Sequence, residues 1–202
     1  DISSAAFFPV GASIAPGSDL TLEHVGINPT RDGVITILRA MGANIEVLNE
    51  RQVGGEPVAD LRVRHAPLKG IRIPVEAVPL AIDELPAVLI AAACAEGVTV
   101  LQGAEELRVK ESDRIASMAE GLSQLGIENT VQPDGTEVVG GDLSGGVITT
   151  HHDHRIAMSF SMAALRASGR IKVSDCAHVA TSFPGFADLA LQTGLRLEVA
   201  EK

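Results

Sequence analysis

Apolar and polar positions along the chain fall into two alternating kinds of segment. In residues 112–126, Ile115, Met118, Ala119, Leu122 and Leu125 recur at helical spacing with polar residues between them. That spacing predicts an amphipathic helix lying on a surface. In residues 86–95 every position is apolar, so a helix there has no polar face and must be buried all round. Each kind occurs three times, and each copy ends at a glycine followed by a strand-like run, which pairs a helix stop with a strand start. The buried kind closes at Gly17, Gly97 and Gly169, with strands expected at 19–22, 98–101 and 171–173. The amphipathic kind occupies 30–42, 112–126 and 182–194, with strands expected at 43–48, 127–131 and 195–199. Runs at 58–64 and 137–140 add a closing strand to the first two copies.

The unit is therefore strand, helix, strand, helix, strand, strand. The expected fold class is α/β (α+β): three such units, about 1–66, 67–141 and 142–202, with three inner helices packed together and sheets and outer helices around them. The first copy lacks an opening strand and the third a closing one, so the chain reads as a single lobe cut from something longer.

Composition narrows this picture. The 202 residues suffice for one large domain or two small ones. Aromatics are 2% of the chain, with no Trp or Tyr, so the core must be built from Ala, Val, Leu and Ile. The apolar run at 86–95 falls short of the roughly 18 residues that cross a bilayer, so no membrane partner is expected. A net charge of −10 argues against general nucleic-acid binding, which needs a basic face. A local basic cluster can still hold a small anion. Cys94 and Cys176 belong to no CxxC or Cys/His spacing and read as small buried apolar residues in a reducing cytosol.

Every candidate for chemistry lies just before or within the first turn of an expected helix, where unpaired N–H groups and the helix dipole favour anions. Lys110 and Arg114 share a face if the helix begins by Lys110; Glu111 is three residues from Arg114, and Ser112 or Asp113 is placed to cap. A solvated charged turn is the plain alternative. In the third copy His151, His152, Asp153, His154 and Arg155 occupy the equivalent place, with Asp153 as an N-cap. A His beside an Arg at a helix start suits proton transfer next to a bound anion; three His also raise a metal site, but no carboxylate or Cys cluster completes a ligand set. Asp83 precedes the all-apolar helix as a cap or as a base for a hydroxyl. Glu105 and Glu106 precede the Arg108–Arg114 run, and Thr181 opens the last outer helix.

Leu107-Arg108-Val109-Lys110-Glu111-Ser112-Asp113-Arg114 resembles the signature of the 5-enolpyruvylshikimate-3-phosphate synthases. Asp153-His154-Arg155-Ile156-Ala157-Met158 resembles that family's second signature, and Asp1-Ile2-Ser3-Ser4-Ala5 its mid-chain Gly-Asp-x-Ser-Ser segment. The resemblance covers the whole chain and identifies it with the family's C-terminal lobe, one of two lobes of three repeated units each. It implies transfer of the enolpyruvyl group of phosphoenolpyruvate to the 5-hydroxyl of shikimate-3-phosphate through a tetrahedral intermediate, with loss of phosphate and with no metal or organic cofactor. It further implies a cytoplasmic, monomeric parent enzyme in which the N-terminal lobe is this lobe's partner and holds most of the shikimate phosphate site.

By the same resemblance Asp83 contacts the shikimate 5-hydroxyl, Lys110 lies between the substrates, Glu111 protonates the methylene carbon, and His154 supports proton handling. Arg114 and Arg155 clamp phosphoenolpyruvate. Many members carry Asn in place of Glu106, on the shikimate side, and Lys in place of Thr181, on the phosphoenolpyruvate side; Glu106 and Thr181 resemble a bacterial subgroup noted for glyphosate tolerance. Two alternatives remain: the enolpyruvyl transferase that uses UDP-N-acetylglucosamine, which shares the fold but lacks the Lys-Glu-Ser-Asp-Arg run, and a non-catalytic lobe that binds anions weakly.

Overall fold

A computed structural model describes residues 1–200. The chain opens with α1 (Ile2–Ala5) and α2 (Phe7–Ile14), which run nearly end to end. Pro9 has no N–H to give the Ala5 carbonyl and its ring crowds that oxygen, so the helical ladder lapses around Ala6. Ala6 itself stays helical at φ −54°, ψ −28°. Next come β1 (Asp19–Gly26), α3 (Gly33–Ala40), β2 (Asn44–Val53) and β3 (Glu56–Arg64), with the strands forming an antiparallel sheet in the order β1-β3-β2. The central strand earns its place by its pattern: Ala59, Leu61 and Val63 alternate along it and are fully buried.

The middle of the chain holds α4 (Leu85–Ala93), β4 (Val98–Leu101), α5 (Arg114–Gln124), β5 (Asn129–Gln132) and β6 (Gly135–Val139), with a second antiparallel sheet ordered β4-β6-β5. The strand expected to open this unit survives only as two parallel bridges, Lys69 with Glu96 and Arg72 with Val100. The last part holds β7 (Gly146–Thr149), α6 (His154–Ala163), β8 (Ile171–Ser174), α7 (Ala177–Ser182) and α8 (Phe186–Gln192), with β7 and β8 paired in parallel.

The inner helices α2, α4 and α6 pack on one another. Val88, Leu89 and Ile90 on α4 are at most 1% exposed, as an all-apolar helix requires. Outer helix α5 buries Ile115, Met118 and Leu122. It approaches α6 so closely at Gly121 that a Cβ there would lie 2.2 Å from the Phe160 ring. Phe8 contacts Phe183 and Phe186, and Phe7 meets Phe186 edge-on at 6.2 Å, so aromatic rings join the terminal helices to α2.

Several expectations need correction. Residues 195–199 form no strand. In the first two units the equivalent strand is held by the hairpin partner that follows it, and no such partner stands beside 195–199 among the described residues. The last outer helix begins at Phe186 rather than Ser182, because Gly185 adopts a left-handed φ of 84° and separates it from α7. Cys176 is exposed rather than buried, whereas Cys94 is mostly covered.

Candidate active site

Four helix starts converge here: α1, α4, α5 and α6. At α6, Asp153 caps the helix by accepting from the Arg155 amide at 2.9 Å and is fully buried. The same carboxylate accepts from Arg114 Nε at 2.8 Å and from Ser112 Oγ at 3.0 Å. Arg114, the first residue of α5, is only 1% exposed. Its Nη1 donates to Asp83 at 3.1 Å and its Nη2 to Glu111 at 2.5 Å, so three carboxylates surround one guanidinium. Lys110 Nζ lies 2.5 Å from Glu106 and 3.4 Å from Asp83. Arg155 Nη1 donates to the Asp83 carbonyl at 2.9 Å and the Ser3 carbonyl at 3.3 Å, which ties the starts of α6, α4 and α1 together.

The local chain explains why these side chains meet. A short 3-10 helix, Glu105–Val109, leads into Lys110, whose extended backbone (φ −79°, ψ −158°) precedes α5. Lys110 is therefore not on the α5 helix, and its expected shared face with Arg114 does not form; both residues reach Asp83 instead. Asp113, not Ser112, caps α5 by accepting from Ala116 N at 3.0 Å. Arg108 grips Asp113 at 2.7 Å and the carbonyls of Gln132 and Pro133, clamping this segment to the β5–β6 hairpin. Asp83 does not cap α4: Glu84 occupies that position and makes no capping bond, leaving Asp83 free for the cations.

The site's electrostatics follow from this packing. Burial acts to raise the Asp83 carboxyl, but Arg155, Lys110 and Arg114 together outweigh it and hold the group below the usual carboxylate value. Burial likewise opposes ionisation of Asp153, and the Arg114 hydrogen bond and charge reverse that. The Lys110 ammonium is raised, first by its bond to Glu106. Burial, then the Arg155 charge, lowers His154, so its imidazole is neutral at neutral pH despite Asp153 and Glu111 nearby. Burial lowers Arg155.

Asp83, Lys110, Glu111, Arg114, His154 and Arg155 are thus gathered in one cluster, with Glu106 at its edge on Lys110. Thr181 is exposed near the end of α7, and its side chain makes no hydrogen bond to the cluster among the described residues. His151 pairs with Glu120 at 2.9 Å on the surface, and His152 packs edge-on against His178. Among the described residues no group of three or more His, Cys, Asp or Glu is arranged to hold a metal ion. An apolar groove of about 480 Å³ between α1, β1 and α8, lined by Phe8, Leu20, Leu22 and Leu189, is separate from the cluster. Sequence reasoning saw Asp153 only as a cap and passed over Ser3 and Glu84. A charged residue opening an otherwise apolar helix was the signal for Glu84.

Residues 1–189 match the family model described as EPSP synthase (3-phosphoshikimate 1-carboxyvinyltransferase). The 3-phosphoshikimate 1-carboxyvinyltransferase of Alkalilimnicola ehrlichii is 68% identical over 98% of this chain and 44% of that protein. That of Methylococcus capsulatus is 66% identical over 99% of this chain and 46% of its own length. A solved EPSP synthase from Acinetobacter baumannii superimposes with a TM-score of 0.97 at 59% identity, covering all of this chain and 47% of that one. The enolpyruvyl transferase NikO from Streptomyces tendae shares the fold, with a TM-score of 0.75 at 20% identity over 97% of this chain and 43% of its own. The chain spans about half the length of the relatives it matches.

Proposed function

The chain belongs to the EPSP synthase family, and from that premise we propose that it supplies one half of an active site that transfers the enolpyruvyl group of phosphoenolpyruvate to the 5-hydroxyl of shikimate-3-phosphate. The observation that carries this reading is the interlocked set of Asp83, Lys110, Glu111, Arg114, His154 and Arg155 at converging helix starts. Phosphoenolpyruvate carries a carboxylate and a phosphate, and guanidinium forks match both. Arg155 holds one of them, while Arg114, whose side-chain nitrogens are all taken by Asp153, Asp83 and Glu111, serves by fixing those carboxylates rather than by clamping the substrate; Thr181 is a further contact. Lys110 lies between the two substrates, and Glu106 contacts shikimate-3-phosphate.

In the first step the shikimate 5-oxygen bonds to C2 of the enol as its proton passes to ionised Asp83. Glu111 delivers a proton to the methylene carbon, giving a tetrahedral ketal phosphate. In the second step the C2–O(phosphate) bond breaks, the methyl group returns its proton to Glu111, and phosphate leaves with the proton that Asp83 held. No electrons are gained or lost overall, so no redox partner enters the balance. Neutral His154 is an acceptor for protons beside Glu111. Fixed cations offset the charge that builds on the departing phosphate.

The chain spans about half the length of its relatives, which supports a site completed by a second surface. We propose that this surface is the N-terminal lobe of the same enzyme, with this chain the partner lobe of a cytoplasmic, monomeric parent. Closing two lobes orients the substrates, an effect worth about 7–11 kcal/mol, and excludes water. The test is phosphate release by the chain alone, by the N-terminal lobe alone and by the mixture. Turnover in the mixture only is expected. Turnover by the chain alone at the rate of the mixture would show that this lobe holds a complete site and overturn the reading.

A further inference from the structure

Glu84 has no part in the roles above, yet its placement is unusual. It sits at the start of α4 and is 3% exposed, and its Oε1 is buried without a hydrogen-bond partner. A buried carboxylate oxygen with no donor is destabilising, and helix capping does not account for it, because the side chain bonds to no N–H of α4. The cation facing that oxygen is Arg155, with Nη1 at 3.9 Å.

The two arginines of the cluster are spent differently. Every side-chain nitrogen of Arg114 is taken by Asp153, Asp83 or Glu111. Arg155 is held through Nη1 alone, by the Asp83 and Ser3 carbonyls. Its Nε and Nη2 have no protein hydrogen bond among the described residues and are not among the buried unpartnered atoms, so solvent reaches them. Arg155 is thus a fork fixed at one side, with the edge suited to bidentate anion binding left open.

We propose that Glu84 is a positioning residue that anchors the Nη1 side of Arg155, so that the open Nε–Nη2 edge meets an anionic group of phosphoenolpyruvate. A shift of Nη1 by about 1 Å brings it into hydrogen-bond range of Oε1; because both Nη1 hydrogens are already given to carbonyls, the longer bond to Ser3, at 3.3 Å, is the one exchanged for Oε1. Burial, aided by the Asp83 charge, pushes the Glu84 carboxyl up against the pull of the Ser3 hydroxyl and Arg155. The proposal rests on the function above.

The test uses the chain combined with its N-terminal lobe, with phosphate-release kinetics in both substrates and calorimetric titration of phosphoenolpyruvate. Glu84→Leu keeps volume without an acceptor, and Glu84→Gln keeps the acceptor. In Glu84→Leu, KM and Kd for phosphoenolpyruvate should rise about tenfold, equivalent to about 1.4 kcal/mol, while KM for shikimate-3-phosphate stays unchanged. Glu84→Gln should recover most of the loss. Unchanged phosphoenolpyruvate affinity in Glu84→Leu, equal losses in the Leu and Gln variants, or equal weakening of both substrates overturns the proposal. If Glu84→Leu does not fold, Glu84→Asp, which draws the carboxylate back by one methylene, must weaken phosphoenolpyruvate selectively for the proposal to stand. A wild type that binds phosphoenolpyruvate without turnover overturns the enzymatic reading and leaves Glu84 to be judged on the Kd ratios. A wild type that binds none overturns both.

Discussion

Replacing Asp153 should be among the most damaging single changes in the cluster. Asp153 and Arg114 are 0% and 1% exposed, and their contact is 2.8 Å. Breaking a buried pair by removing one partner costs about 3–5 kcal/mol, because the other charge is left uncompensated. Asp153→Ala also removes the α6 cap, about 1 kcal/mol. Arg114 keeps Asp83 and Glu111, but their side chains are 41% and 52% exposed, so water screens those contacts. A net loss of about 3–5 kcal/mol follows, a large share of the roughly 5–15 kcal/mol that holds a domain together. Asp153→Asn keeps a cap and a neutral acceptor and should lose about half as much. The assay is urea unfolding at neutral pH and in acid. The Asp153 carboxyl is depressed from 3.8 in the fold, so its contribution is complete above that value and drains away as pH falls through the lower folded one. The gap between wild type and Asp153→Asn should therefore narrow in acid. A loss under about 1 kcal/mol for Asp153→Ala, the level of a cap alone, would refute the claim that Asp153 is the counter-charge of Arg114.

Three further outcomes are expected. Gly121→Ala places a Cβ 2.2 Å from Phe160 and should cost about 1–3 kcal/mol by overpacking, read as a lower urea midpoint with an unchanged m-value. His154 should titrate below 6.5 by NMR, because burial and Arg155 disfavour its charged form; a midpoint above 6.5 would mean that Asp153 and Glu111 dominate instead. In the native protein a thiol reagent should modify exposed Cys176 first, while Cys94, pushed up to about 12 by burial, reacts only on unfolding; mass spectrometry of the labelled peptides decides this.

Much of the architecture was legible because it is written in periodicity. The apolar run of α4 and the striped α5 needed no long-range information, and the glycine-closed helices announced their strands. The runs at 195–199 and ahead of α4 were less legible, because a strand exists only if a neighbour completes its ladder, and sequence pattern does not report neighbours. The cluster was legible in membership, since Lys110, Glu111, Arg114, His154 and Arg155 crowd expected helix starts. Its wiring was not. That Arg114 spends itself on three carboxylates, and that Asp83 leaves the cap of α4 to Glu84, depends on the starts of α4, α5 and α6 meeting in space, with Asp83 31 residues before Arg114 and Asp153 39 residues after it.

Four of the five phenylalanines, Phe7, Phe8, Phe183 and Phe186, sit in one contact group between α2 and the terminal helices. With neither Trp nor Tyr present, this group dominates the chain's near-ultraviolet optical activity. The vibronic fine structure of phenylalanine circular dichroism therefore becomes a local gauge of one seam, unobscured by stronger chromophores. Detachment of α7 and α8 would erase most of that signal while the far-ultraviolet spectrum of the other helices persists. A Trp placed elsewhere in the lobe would add a second, independent optical channel.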